Sequence, residues 1–279
     1  MNKTTQSGGA DGSEDNSKSR KDAADEKRNI SALVVHEAIR SEGTEELERP
    51  TASLAWSGLA AGLSMGLSLM GEGLLRASIP DAPWRGLVTS FGYTLGFLVV
   101  VLGRQQLFTE NTLTGVVPVL YEKSTRTLTA LARLWSVVFV ANIIGTLLFA
   151  ATAALTDVFS AEARSAFHEI GMHASQASSW TTFLGAIAAG WLIGLMVWLL
   201  PAAGPSRFLV IVSITYFVAV GDLSHVIAGS AEVGYVAMSG SITWGDYFLG
   251  FLLPALVGNT IGGAVLVAAV NHAQVRHEL

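Results

Sequence analysis

The ten residues Gly103-Arg104-Gln105-Gln106-Leu107-Phe108-Thr109-Glu110-Asn111-Thr112 constrain this chain more than any others. They separate two apolar runs, Leu87 to Leu102 and Leu113 to Leu120. Each run is short for a membrane crossing, which takes about 20 apolar residues in a helix. Backbone at membrane depth leaves the helix only where it is buried in protein or lines a water-filled cavity. An arginine, two amides, a threonine and a glutamate in such a break point to a pore or a binding site. The plainer alternative is a loop joining two interfacial segments. A break of the same kind in the second half of the chain argues against it.

Charge is unevenly spread. Residues 1 to 50 hold 8 of the 17 Lys+Arg and 11 of the 22 Asp+Glu, which leaves the other 229 of 279 residues charge-poor. That contrast marks a hydrophilic tail on an integral membrane domain. The tail carries part of the net charge of −5, so this charge says little about a ligand. With no cysteine, disulfides, thiolate metal sites and cysteine nucleophiles are excluded. No cofactor is implied, and nothing suggests nucleic-acid binding.

In chain order, Met1 to about Asn29 lacks apolar periodicity and is expected to be disordered. It has no apolar core of the signal-peptide kind, so the first membrane helix must direct insertion. Ile30 to Arg49 reads as a short amphipathic helix on the cytoplasmic surface, ahead of Pro50. Residues 1–50 thus form a tail, 51–272 a six-span domain and 273–279 a C-terminal tail. The spans are expected at 52–75, 85–120, 128–155, 180–200, 207–238 and 247–270, with a wet segment at 156–179. Gly221-Asp222-Leu223-Ser224-His225 interrupts the fifth as residues 103–112 interrupt the second. Six crossings put both termini on one side. Lys123, Arg126, Arg133, Arg207 and Arg276 lie on that side against Arg76, Arg85 and Arg164 on the other, which makes the termini cytoplasmic.

Two segments recur. Ala60-Ala61-Gly62-Leu63-Ser64-Met65-Gly66-Leu67 shares AAGxxxGL with residues 188–195, and Val140-Ala141-Asn142-Ile143-Ile144-Gly145 parallels Val257-Gly258-Asn259-Thr260-Ile261-Gly262. The pairs fall in spans one and four and in spans three and six, with the broken spans between. Three spans is an odd number, so the halves enter the membrane from opposite sides. The expected fold is all-α: two inverted three-helix repeats whose broken helices, two and five, meet near the midplane.

These residues resemble the formate/nitrite transporter family. Leu107-Phe108-Thr109-Glu110-Asn111 is similar to its broken-helix signature, and Asn142, the His225 break and Leu253 to Gly263 follow in the family's order. The similarity covers about Leu54 to Val270. The extended tail, the Arg-Gln-Gln before Leu107 and the Gly-Asp before the histidine resemble a less characterised inner-membrane branch. The resemblance implies an aquaporin-like protomer, a homopentamer in a bacterial inner membrane, and one anion pathway through each protomer.

His225 is the central candidate. It is the one histidine in an apolar membrane stretch, where an ionisable group tends to face a pathway. Its ordinary titration range suits proton exchange with a weak acid. The alternative is a neutral histidine bonded to backbone. In the family the corresponding histidine lies midway along the pore, where it protonates or holds the anion. The Thr109 hydroxyl suits donation to the anion or the imidazole, or a local backbone cap. The resemblance makes Leu107, Phe97 and Tyr93 apolar constrictions, with Phe108 inside the signature; Phe217 or Val218 matches the fifth-span constriction. Asn259 is expected to orient the histidine or the adjoining break, and Asn142, its repeat mate, to bond between helices.

The departures bear on substrate. Better-known members carry a lysine ahead of the fourth span; here the matched place falls near Ala174, beside His173 and Gln176, and no lysine follows Lys123. Ser224, Gln106 and Gly190 replace two acidic residues and an asparagine, while Arg104 and Asp222 are added. Arg104 either supplies the lost positive field or pairs with Asp222 or Glu110. The leading expectation is a channel or transporter for small monovalent anions such as formate or nitrite, with protons exchanged at His225. Rivals are a channel for another small solute, disfavoured for water or glycerol by the missing Asn-Pro-Ala pair, and a non-transporting regulatory scaffold. An enzyme is the weakest reading, because Asp222, Ser224 and His225 are too close in sequence to assume facing geometry.

Overall fold

The structure, a computed structural model, describes residues 31–276. The expected disordered stretch from Met1 to Asn29 lies outside them. Helix α1 (Ala32–Glu48) precedes the apolar helices α2 (Thr51–Ser78) and α3 (Arg85–Leu102). Two short helices follow, α4 (Phe108–Thr114) and α5 (Val116–Glu122), then the long α6 (Thr125–Leu155). Helix α7 (Ala161–Ser175) occupies the segment expected to be wet. Helices α8 (Ser179–Ala203) and α9 (Arg207–Val220) are joined by the tight turn Gly204–Ser206. Helix α10 (Val226–Met238) and the long α11 (Asp246–Val275) complete the fold. Helix α11 is wound as a π-helix over Asp246–Leu252 and Ile261–Ala269.

Among the described residues, five helical stretches are long and apolar enough to cross a membrane, where six crossings were expected. They are Thr51–Ser78, Arg85–Leu102, Thr125–Leu155, Ser179–Val220 and Asp246–Val275. The fourth contains both α8 and α9, and the short apolar α10 stands apart from the five.

Local chemistry sets several helix starts. Ser124, Ser160 and Ser178 each accept a hydrogen bond from the backbone N–H three residues on, at 3.1, 3.2 and 3.1 Å. Such caps contribute about 1 kcal/mol each. Small residues set how closely the long helices approach. A methyl group at Gly62 of α2 would run into the Asn142 carbonyl of α6; at Gly190 of α8 it would run into the Asn259 carbonyl of α11. The repeated glycines therefore mark close backbone crossings, α2 on α6 and α8 on α11.

Helix α3 packs on α2, and α9 on α8 and, across the halves, on α3. The short helices after the two breaks also cross to the other half. Helix α4 packs against α8 and α11, while α10 packs against α2 and α6. The outer surface is apolar, with Phe91, Leu148, Leu199 and Leu249 among many exposed large side chains. In lipid such a surface needs no polar cover.

Helix α1 lies against the bundle through Val35, His36, Ile39 and Leu47. His36 is buried beside Trp198 and has its Nε2 3.1 Å from His272 Nδ1. Burial, with His272 nearby, holds its imidazole below the ordinary value of 6.5.

Candidate functional site

The site is built from two chain breaks that close in the same way. At the end of α3, the N–H of Arg104 bonds to the Val101 carbonyl at 3.2 Å and that of Gln105 to Val100 at 3.0 Å. At the end of α9, Asp222 bonds to Ala219 at 3.1 Å and Leu223 to Val218 at 3.0 Å. Both are helix ends of the type closed by one left-handed residue. Arg104 and Asp222 occupy that position, at φ 50° and 49°.

The far side of each break is held by an asparagine. Asn142 Oδ1 accepts from the Phe108 N–H at 2.9 Å, and its amide donates to the carbonyls of Gly58 at 2.7 Å and Gln106 at 2.9 Å. Asn259 repeats this with the Val226 N–H at 2.8 Å, Ala186 at 2.7 Å and Ser224 at 2.9 Å. The bonds to Phe108, Gln106, Val226 and Ser224 engage groups that breaking a helix leaves without partners, and those to Gly58 and Ala186 tie the asparagines to the neighbouring helices. Asn259 thus holds the adjoining break, and Asn142 holds the first break in addition to the interhelical bond, to Gly58, expected of it.

Where the breaks meet, Thr109 Oγ1 lies 2.8 Å from His225 Nε2. The other ring nitrogen, Nδ1, accepts from the Ala228 N–H at 3.1 Å, so the imidazole caps α10. That bond assigns the tautomer: Nε2 of the neutral ring carries the proton and donates to Thr109. The hydroxyl hydrogen of Thr109 is left to donate elsewhere. Phe97 meets the imidazole edge-on at 4.9 Å, with Tyr93 5.5 Å beyond. Thr109, His225, Phe97 and Leu107 are all buried.

A cavity lies on either side of this junction. The tail-side cavity, about 350 Å³, is lined by Glu42 and Glu46 of α1 and by Arg104, Gln105, Gln106 and Glu110 of the first break. The far-side cavity, about 680 Å³, reaches His225 and Tyr93 and is lined by Glu72, Asp222 and Glu232. Phe97, Leu107 and Thr109 line neither cavity; Phe97 and Thr109 touch His225 between the two, and Leu107 is buried beside Phe108 in the chain. His225, Gly229 and Glu232 share one face of α10, at i, i+4 and i+7.

Several expected positions take different surroundings. Arg104 pairs with neither Asp222 nor Glu110; its guanidinium meets Glu42 at 3.0 Å and its side chain is 71% exposed. Asp222 instead faces His173 at 3.4 Å. Of the alternatives Phe217 and Val218, Phe217 is 63% exposed on the outer face, while Val218 is buried and lines the far-side cavity. Phe108 packs edge-on against Trp135 and Phe139, away from the cavities.

The place matched to the family lysine is part of the far-side cavity, where Ala174, His173 and Gln176 line the wall. Arg76, on the same wall, is bound to Glu169 at 2.7 and 2.9 Å and holds that carboxyl below the usual carboxylate range. Glu72 and Glu232 were not singled out from the sequence, whereas Glu110 was named with the polar break. The available signal was an ionisable residue inside an apolar or broken span.

The family model described as "Formate/nitrite transporter" matches residues 33–273. "Inner membrane protein YfdC" of Escherichia coli (strain K12) is 41% identical over 268 residues, covering 96% of this chain and 86% of that protein. Among solved structures, an "FNT family ion channel" superposes with a TM-score of 0.76 at 17% identity, over 86% of this chain and 98% of its own. A "Pentameric formate channel with formate bound" gives 0.68 at 19%, over 86% and 99%. At these identities the two structures establish a shared fold.

Proposed function

The chain belongs to the formate/nitrite transporter family, and on that premise we propose that it is a channel for small monovalent anions, formate or nitrite, that cross together with a proton. The observation carrying this is the buried Thr109–His225 pair, with Phe97 against the imidazole, between two polar cavities. A charged passenger at this junction would pay far more for desolvation than a neutral one. The free hydroxyl hydrogen of Thr109 suits an anion oxygen, and Nε2 of His225 is placed to exchange a proton through that hydroxyl. The Ala228 bond sets the resting tautomer, so each exchange at the ring works against one hydrogen bond of α10.

Six crossings in two inverted halves fit the same reading. A straight helix of 42 residues would run about 63 Å, twice a hydrocarbon core of about 30 Å. Ser179–Val220 instead bends at Gly204–Ser206, with α8 and α9 packed together, which suits two passes. The matched closures at Arg104 and Asp222 and the matched asparagines support the inversion. An aquaporin-like protomer, a homopentamer, a bacterial inner membrane and cytoplasmic termini complete the proposal. The apolar outer face and the relatives' descriptions support it.

A second reading draws on the far-side cavity, where Glu72, Asp222 and Glu232 stand beside Arg76 and His173. It makes the protein a regulatory scaffold, or a channel for another solute. One experiment separates the readings: uptake of labelled formate and nitrite into proteoliposomes over a pH series, with wild type beside His225→Ala. Saturable, pH-dependent flux that the variant loses is the expected result. A well-folded wild-type oligomer that carries neither anion would overturn the anion channel.

A further inference from the structure

The tail-side cavity is lined by the charged residues Glu42, Glu46, Glu110, Arg49, Arg104 and Arg207. Two of these arginines are engaged by carboxylates: Arg104 pairs with Glu42 at 3.0 Å, and Arg49 with Glu46 at 3.1 Å. Arg207, the first residue of α9, differs from both. Among the described residues no carboxylate pairs with it, and its Nε donates to the Leu200 carbonyl at 3.4 Å. Nor is Glu110 its counter-charge, because the charges close enough to act on that carboxyl are those of Glu42, Arg104 and Glu46. Leu200 lies in the last turn of α8, where carbonyls lack intrahelical partners. The Nε bond therefore caps that helix, as arginines near a C-terminus do. Capping uses Nε alone and leaves both terminal nitrogens, Nη1 and Nη2, without a protein partner. Arg207 is exposed, so an anion from bulk water reaches it.

The end of a guanidinium presents two parallel N–H donors, whose spacing matches two oxygens held in one plane. Formate and nitrite both have that shape, and both are small for a cavity of about 350 Å³. Chloride is a single atom and cannot use both arms of the fork in the same way. A lysine ammonium in this place would be a point charge with no such preference.

We propose that Arg207 is a tail-side binding residue for the passenger and sets its selectivity, holding planar two-oxygen anions through Nη1 and Nη2 in preference to monatomic ones. The assignment rests on the anion-channel reading of the pathway. The positive group that Arg104, held by Glu42, does not offer is supplied from the other half of the chain, at the start of α9. The helix cap and the anion site use different nitrogens of one guanidinium, so the cap aims the fork that the anion occupies.

The test measures formate binding and formate flux separately on the full chain. Saturation-transfer NMR on the detergent-solubilised protein follows the formate proton while chloride is titrated in as competitor, and uptake of labelled formate into proteoliposomes follows flux. Wild type, Arg207→Lys, Arg207→Gln and Arg104→Gln are compared once each is shown to be folded. Arg207→Gln should weaken formate binding about tenfold, and its uptake should half-saturate at a correspondingly higher concentration. Arg207→Lys keeps the charge and loses the fork, so chloride should displace formate from it about tenfold more readily than from wild type. A helix cap alone predicts lower thermal stability in Arg207→Gln with formate binding and the preference over chloride unchanged, and that outcome overturns the proposal. Wild-type preference retained in Arg207→Lys overturns it too, as does a loss in Arg104→Gln as large as that in Arg207→Gln. Wild-type flux with binding and selectivity that ignore Arg207 would sink this inference and leave the channel standing. Arg207-dependent binding without wild-type flux would sink the channel and leave the anion site standing.

Discussion

The two breaks, Gly103 to Phe108 and Gly221 to Val226, have the same backbone and opposite chemistry. Each closes a helix with one left-handed residue and hands the first N–H of the following short helix to a buried asparagine. At that left-handed position stand Arg104 in one and Asp222 in the other. At the residue before the short helix stand Leu107 and His225, and at the residue after its start stand Thr109 and Ile227. The scaffold is thus carried by backbone and asparagine, which frees the side chains on either side of the junction to differ. Because the difference is complementary, the threonine of one break meets the histidine of the other.

The strongest way to break this comparison is to remove the asparagines. Asn142→Ala and Asn259→Ala each leave the buried N–H and the carbonyl of one break without their partner, at about 1–3 kcal/mol per group. Both should lose the folded protein in thermal size-exclusion assays, and to a similar degree. If one variant keeps wild-type stability, the breaks are not equivalent. An intermediate effect is expected at the junction. Thr109→Val should lower anion flux about tenfold, the worth of one buried hydrogen bond of about 1.4 kcal/mol, while Thr109→Ser and Ile227→Val keep it. Equal losses in Thr109→Val and Ile227→Val would place the specialisation elsewhere. The smallest effect concerns the left-handed residues. Arg104→Gly and Asp222→Gly relieve a conformation that costs a side-chain-bearing residue about 1 kcal/mol. Each should raise the melting temperature slightly; a fall at Arg104 alone would mean that its bond to Glu42 outweighs the strain.

Much of the site was legible because membrane depth restricts sequence so strongly. Polar residues between apolar runs located both breaks, and His225 stood out as an ionisable group in apolar surroundings. The recurring glycines and asparagines marked positions where backbones touch. Side-chain direction was harder. Successive residues on a helix point about 100° apart, so a one-residue shift near Gly221 decides whether Phe217 or Val218 lines the cavity. Val218 does, and Phe217 faces outward.

What the sequence determined by itself is where the helices must stop and which residues cannot be lipid-facing, since both follow from hydrocarbon's refusal of unpaired polar groups. Only the tertiary structure decided the partners. Arg104 finds Glu42, 62 residues earlier, because α1 folds back beneath the first break. Thr109 finds His225 across 116 residues because each short helix packs into the opposite half. Glu110 is left with an unpartnered oxygen for the same reason: the groups that could have paired with it are held by neighbours from elsewhere in the chain. Hydrogen bonds act over about 3 Å, and no local pattern fixes which distant residues are brought that close.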